Sequence, residues 1–232
     1  MKDTKNKISL VYKFLILVIT AIGLYLNFKF VSFKTGIVYF TLQSNILCLL
    51  FYAVLFVYLL INKNNKNIEK NKKLYIIFKG LISANIFLTM TIYTALAVTN
   101  NIHVYDAHFI ECLFVHYLTP IMVIMDYVLF DEKGNMEWYH PLIWDIIPIA
   151  YMAFNIIYTK AGGKFMDSKY AYSFLNAEKY GYMGVVLNCM LIFVFFTAVD
   201  YFVFLMDKKV GENNEEKWFK KFYIYEWRRA II

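Results

Sequence analysis

Six long apolar runs constrain what this chain can fold into: residues 8–28, 37–61, 74–99, 109–130, 140–159 and 181–206. Each is near or above the roughly 20 residues that carry a helix across a bilayer. The connections are too short to hold a soluble domain. The runs are continuous, not alternating, which excludes a closed barrel of strands. The chain is 60% hydrophobic over 232 residues, more apolar than a soluble domain. We therefore expect an all-α polytopic membrane protein of the cell membrane. A bundle of six transmembrane helices would span 1–206, and a tail would follow over 207–232.

Lysine and arginine placement sets the expected orientation, because cytoplasmic loops are enriched in both. One side carries Lys2, Lys5 and Lys7, then Lys63, Lys66, Lys70, Lys72 and Lys73, then Lys133, and finally Lys208, Lys209, Lys217, Lys220, Lys221, Arg228 and Arg229. The other carries Lys29, Lys34, Lys160, Lys164, Lys169 and Lys179. The bias of 16 to 6 puts both termini in the cytoplasm. It also explains the net charge of +7 without nucleic acid, since these charges flank spans. The first run is too long for a signal-peptide core and no small-residue cleavage pattern follows, so it is expected to be retained. Cys48, Cys112 and Cys189 all fall inside spans and make neither a loop disulfide framework nor a metal site. No metal or organic cofactor is implied.

One stretch breaks the apolar pattern. Residues 37–52 read IVYFTLQSNILCLLFY, with Thr41, Gln43, Ser44 and Asn45 near the middle. At 1.5 Å per residue, Thr41 lies roughly 6 Å below the outer face, and Ser44 and Asn45 roughly 11 Å. His116, the only histidine inside a span, and Asn188 fall at about 10 Å, with Thr94 nearby; His103 and His108 lie in a loop and His140 at a helix start. Thr41, Ser44, Asn45 and Cys48 share the i, i+3, i+4, i+7 face of one helix. That face is expected to look into the bundle towards His116, because polar groups in hydrocarbon find one another. Gln43 points away from it, towards a neighbouring helix.

A second polar layer lies towards the cytoplasm: Lys13, Lys79, Asp126, Asp145 and Asp200. The simpler expectation is that the lysines snorkel to the headgroups while the aspartates cap helices or face water. The sharper one is paired charges along a proton or cation path. The tail KWFKKFYIYEWRRAII sets Trp218, Phe219, Phe222, Tyr225 and Trp227 among basic residues, as in an amphipathic helix lying on the inner leaflet. The long external loop, with its tyrosines and Phe174, is expected to form an interfacial lid.

A hydroxyl beside an imidazole is a possible nucleophile and base: the histidine removes the hydroxyl proton and the oxygen attacks an acyl carbon. Ser44, Asn45 or Asn188 would orient the substrate or stabilise the oxyanion. Pro120, one turn after His116, frees a backbone carbonyl near the site. The alternative is that these groups only hold the helices together.

The segments YFTLQSNILCLLFYAV, HYLTPIMVIMDYVLF and YAYSFLNAEKYG resemble the bacterial Pr6Pr membrane protein family, which is similar to the animal androgen-induced membrane hydrolases. The resemblance covers most of the chain. It implies about six spans and hydrolysis of fatty-acid esters of hydroxy fatty acids by an intramembrane threonine and a histidine. The threonine corresponds to Thr41, the histidine to His116, and an acid ten residues later to Asp126. The chain departs from the pattern in a histidine–proline gap one residue shorter, and in YAYSFL where YPYPFL is more usual.

The expected function is thus an integral membrane lipid-ester hydrolase acting from the outer leaflet, with membrane lipids and a lipid-ester substrate as its partners. A non-enzymatic transporter or lipid-binding protein with a polar cavity is the competing class, although the sequence shows no internal repeat and no matched pair of broken spans. A membrane scaffold is a third.

Overall fold

The computed structural model describes residues 2–61, 72–99, 109–166 and 168–230, the side chains of residues 2, 3 and 213–230 excepted. Among these residues six helices are long and apolar enough to cross a membrane: Thr4–Phe30, Phe40–Ile61, Lys72–Thr99, Phe109–Phe130, His140–Lys160 and Ala177–Glu212. The protein is all-α, as expected, and has the make-up of a multi-pass membrane protein. Lys63, Lys66, Lys70, His103 and His108 lie outside the described residues, as do the side chains of the amphipathic tail, whose backbone continues the last helix to Ala230.

In chain order the elements are α1 (Lys2–Phe30), the short α2 (Phe33–Gly36), α3 (Phe40–Ile61) and α4 (Lys72–Thr99). A fourth span follows, made of α5 (Phe109–Leu113), a π-helical turn (Phe114–Leu118) and α6 (Thr119–Phe130). The fifth is α7 (His140–Trp144) plus α8 (Ile146–Lys160), and the sixth is α9 (Ala177–Ala230). Helices α1, α3, α4 and α6 pack around one another, burying Ile16, Cys48, Tyr52, Ile82, Ile86 and Val123. The fifth and sixth spans lean on that group, with Tyr151 and Phe196 packed against Phe40 and Leu88.

Burial is inverted relative to a soluble protein. Val54 and Leu191 are 70% and 69% exposed, whereas Asn45, Thr20, Thr119 and Asp126 are fully buried. This is the arrangement expected where the surrounding medium is as apolar as leucine and the driving force for helix contact is packing and hydrogen bonding.

Two glycines permit contacts that no side chain would. Gly80 of α4 lies under the indole of Trp144, where a Cβ would fall 2.3 Å from ring atoms. Trp144 is 2% exposed and has little room to move. Gly80→Ala should therefore destabilise the fold by about 1–3 kcal/mol, the usual range for overpacking, read as a lower midpoint of thermal unfolding in detergent. An unchanged midpoint would mean that the indole swings aside freely. Gly134, with φ +85°, meets the backbone of Gly211. Asp207 fixes that corner by accepting hydrogen bonds from the amides of Gly134 (2.9 Å) and Met136 (3.1 Å) and from the Tyr127 hydroxyl (2.9 Å).

Candidate active site

The second span starts abruptly, and that start makes the site. In a helix continuing backwards, Ile37 and Val38 would accept from the amides of Thr41 and Leu42. Here the Ile37 carbonyl accepts from Gln43 Nε2 at 2.9 Å and the Val38 carbonyl from the Tyr151 hydroxyl at 3.1 Å. Gln43 thus bonds its own chain, not a neighbouring helix, and helps to end the turn before Phe40. Thr41 comes to rest in the first turn of α3, where it lines a cavity between α3, α4, α8, α9 and the loop before α9.

Thr41 Oγ1 lies 3.2 Å from Nε2 of His116, seventy-five residues away. The other ring nitrogen, Nδ1, is 3.3 Å from the Cys112 carbonyl. A carbonyl can only accept, so the proton belongs on Nδ1. That tautomer leaves the Nε2 lone pair facing the threonine hydroxyl, as a general base requires. Tyr93 of α4 stacks on the imidazole, with centroids 3.6 Å apart and planes at 15°. His116 is 8% exposed, while Thr41 and Tyr93 line the cavity. The hydroxyl is presented and the base is sheltered behind it.

His116 owes its position to a local departure from α-geometry. Residues Phe114–Leu118 wind as a π-helical turn, with the Thr119 amide bonded to the Phe114 carbonyl. Such turns are rare and recur at functional sites. Pro120 has no N–H to give the Val115 carbonyl five residues back. Asn45 Nδ2 supplies the missing donor at 3.1 Å and also bonds the Thr41 carbonyl at 2.8 Å. One amide therefore ties the turn that carries the hydroxyl to the turn that carries the imidazole.

This gives Asn45 a different role from the expected oxyanion donor, because both of its N–H groups are engaged. Ser44 is likewise occupied and buried: its Oγ lies 3.0 Å from the Thr41 carbonyl and 2.7 Å from Thr89 Oγ1. Asn188 donates to the Phe174 carbonyl at 3.1 Å, holding the loop to α9. Thr94 is exposed and bonds Met90 and Tyr117. Its expected place near the site is taken by Thr89 and Tyr93, which lie one helical turn apart on the same face of α4. The same depth reckoning applied to every polar residue of that span would have found both.

The walls of the cavity are otherwise mostly carbon: Leu88, Ile92, Leu96, Pro148, Met152 and Ile192 contribute. Tyr172, Phe174 and Leu175, from the loop before α9, also line it.

At the other end of the bundle, the second polar layer divides in two. Lys13 Nζ lies 2.8 Å from Asp126 Oδ1, and Lys79 bonds Asp126 Oδ2. The Tyr52 hydroxyl also donates to Oδ2, at 3.0 Å. Tyr75 donates to Asp131 at 2.6 Å, and Lys79 lies 3.9 Å from that second carboxylate. Lys13 and Lys79 are 4% and 2% exposed, so neither snorkels: four helices supply enough partners to hold both ammonium groups inside. Asp145 and Asp200 stand apart, on the fifth and sixth spans, where Thr197 donates to Asp145 at 2.6 Å.

Comparison with protein-family models, with curated proteins and with solved structures finds no match.

Proposed function

We propose that this protein is an intramembrane lipid-ester hydrolase, with Thr41 as nucleophile and His116 as general base. The observation that carries the reading is the contact of His116 with Thr41, a residue lining an apolar cavity, while the Cys112 carbonyl at Nδ1 favours the tautomer that a base needs. Thr41 Oγ1 bonds the ester carbonyl carbon as its proton passes to His116 Nε2, and the carbonyl π pair moves onto oxygen. Collapse of the tetrahedral intermediate breaks the ester C–O bond, and the departing alkoxide takes the proton from the imidazolium. Water, deprotonated by His116 in turn, releases the fatty acid from the acyl-threonine. The Cys112 carbonyl holds the ring where a carboxylate does so in the serine-protease triad. An acyl chain matches the carbon-lined walls.

The test is release of fatty acid from a branched fatty-acid ester by the purified protein in detergent. No turnover across several lipid esters would remove the reading and favour a transporter or scaffold.

In the same reading both termini are cytoplasmic and the Thr41 end of the bundle opens towards the outer leaflet of the cell membrane, on the support of the lysine and arginine bias. Reporter fusions after residues 70 and 232 should report cytoplasm, and a fusion after 165 the outside. A cytoplasmic signal at 165 would put the cavity in the other leaflet.

A further inference from the structure

A threonine attacking an ester needs donors aimed at the carbonyl oxygen as it gains charge. The three side chains with the obvious chemistry are engaged elsewhere: Asn45 with two carbonyls, Ser44 with Thr41 and Thr89, Asn188 with the loop. Donors must come from other groups lining the cavity beside Thr41.

Tyr172 meets the requirement. It stands in the loop before α9, next to the short 3-10 turn Ser173–Leu175, and its ring stacks on Phe174 with planes at 4°. It lines the same cavity as Thr41. Its ring centroid lies 6.4 Å from that of Tyr151, and Phe40, Thr41 and Tyr151 line the cavity with it. Burial holds this phenol well above its ordinary pKa, so it stays protonated. Tyr151, the other nearby phenol, donates to Val38. At the same spot α3 begins: the Ile37 carbonyl that the Thr41 amide would use is occupied by Gln43, and the first turn carries the positive end of a 22-residue helix.

We infer that the Tyr172 hydroxyl, together with the positive end of α3, receives the oxyanion formed when Thr41 attacks the ester. The inference rests on the hydrolase reading and deepens it. It makes Tyr172 a catalytic residue delivered by the loop, so the site is complete only with that loop lining the cavity.

The experiment compares wild type, Thr41→Ala and Tyr172→Phe on one branched fatty-acid ester. It also measures binding of a lipid phosphonate, whose charged tetrahedral oxygen mimics the intermediate. Tyr172→Phe keeps the ring and its stack on Phe174 and removes only the hydroxyl. Loss of one such donor lowers kcat on the order of 100-fold, with KM within about twofold because the ground-state carbonyl gains little from it. Phosphonate affinity should fall by a factor similar to that in kcat, a correlation that a merely structural role would not produce. Unchanged kcat in Tyr172→Phe, or an effect on KM alone, beside an inactive Thr41→Ala, overturns the oxyanion assignment and leaves the nucleophile standing. Full activity in Thr41→Ala, or no turnover by wild type, overturns the hydrolase reading and this assignment with it.

Discussion

Thr41→Ala and His116→Ala should each reduce ester hydrolysis by about 10⁴-fold or to the limit of detection, and the double variant should lose little more, because a nucleophile and its base act as a unit. The contact between them is direct, at 3.2 Å. Thr41→Ser keeps a hydroxyl on the same carbon and should retain part of the rate. Ser44→Ala should be milder, since Ser44 reaches the threonine only through its backbone carbonyl. All five proteins should remain folded: the lost hydrogen bond is worth about 1 kcal/mol, and Asn45 still braces the two turns. Monodispersity in detergent checks folding and fatty-acid release checks function. Full turnover by a folded Thr41→Ala protein would eliminate the nucleophile assignment.

The other large effect is expected at the opposite end of the bundle and concerns stability. Asp126→Ala leaves Lys13 and Lys79 buried around a missing carboxylate, and breaking a buried ion pair from one side costs about 3–5 kcal/mol. Most of the protein should then be lost as aggregate on extraction. Changing the set together, with Lys13→Met, Lys79→Met and Asp126→Leu, replaces charge by apolar volume and should restore much of the yield, since a well-packed apolar substitute for a buried ion pair is often neutral. The difference between the two is the measurement. Equal yield and equal unfolding midpoint for wild type and Asp126→Ala would mean that the network carries no net energy.

Some of this architecture is local and therefore legible in the sequence. The number and length of the spans follow from uninterrupted apolar runs, because bilayer thickness fixes how many residues a helix needs. The face formed by Ser44, Asn45 and Cys48 follows from helical periodicity, and all three are buried, since that period is a property of the backbone and not of its neighbours. Pro120 signalled an unpaired carbonyl near His116; that carbonyl proves to be Val115's, accepting from Asn45.

What only the tertiary structure decided is which groups meet and which stay unpaired. Residue number gives depth along a helix but neither its rotation nor its neighbours, so Lys13, Lys79 and three aspartates at one level are compatible with several pairings. Helix packing selected Asp126 and left Asp145 and Asp200 between other spans. Donor availability is likewise a whole-molecule property. Asn45 has the right chemistry and depth for an oxyanion donor, but its hydrogens are taken by two carbonyls, one of them on another helix. Tyr172 lies far along the chain, in a loop with no depth to reckon from, and only the tertiary structure brings it to the cavity that Thr41 lines.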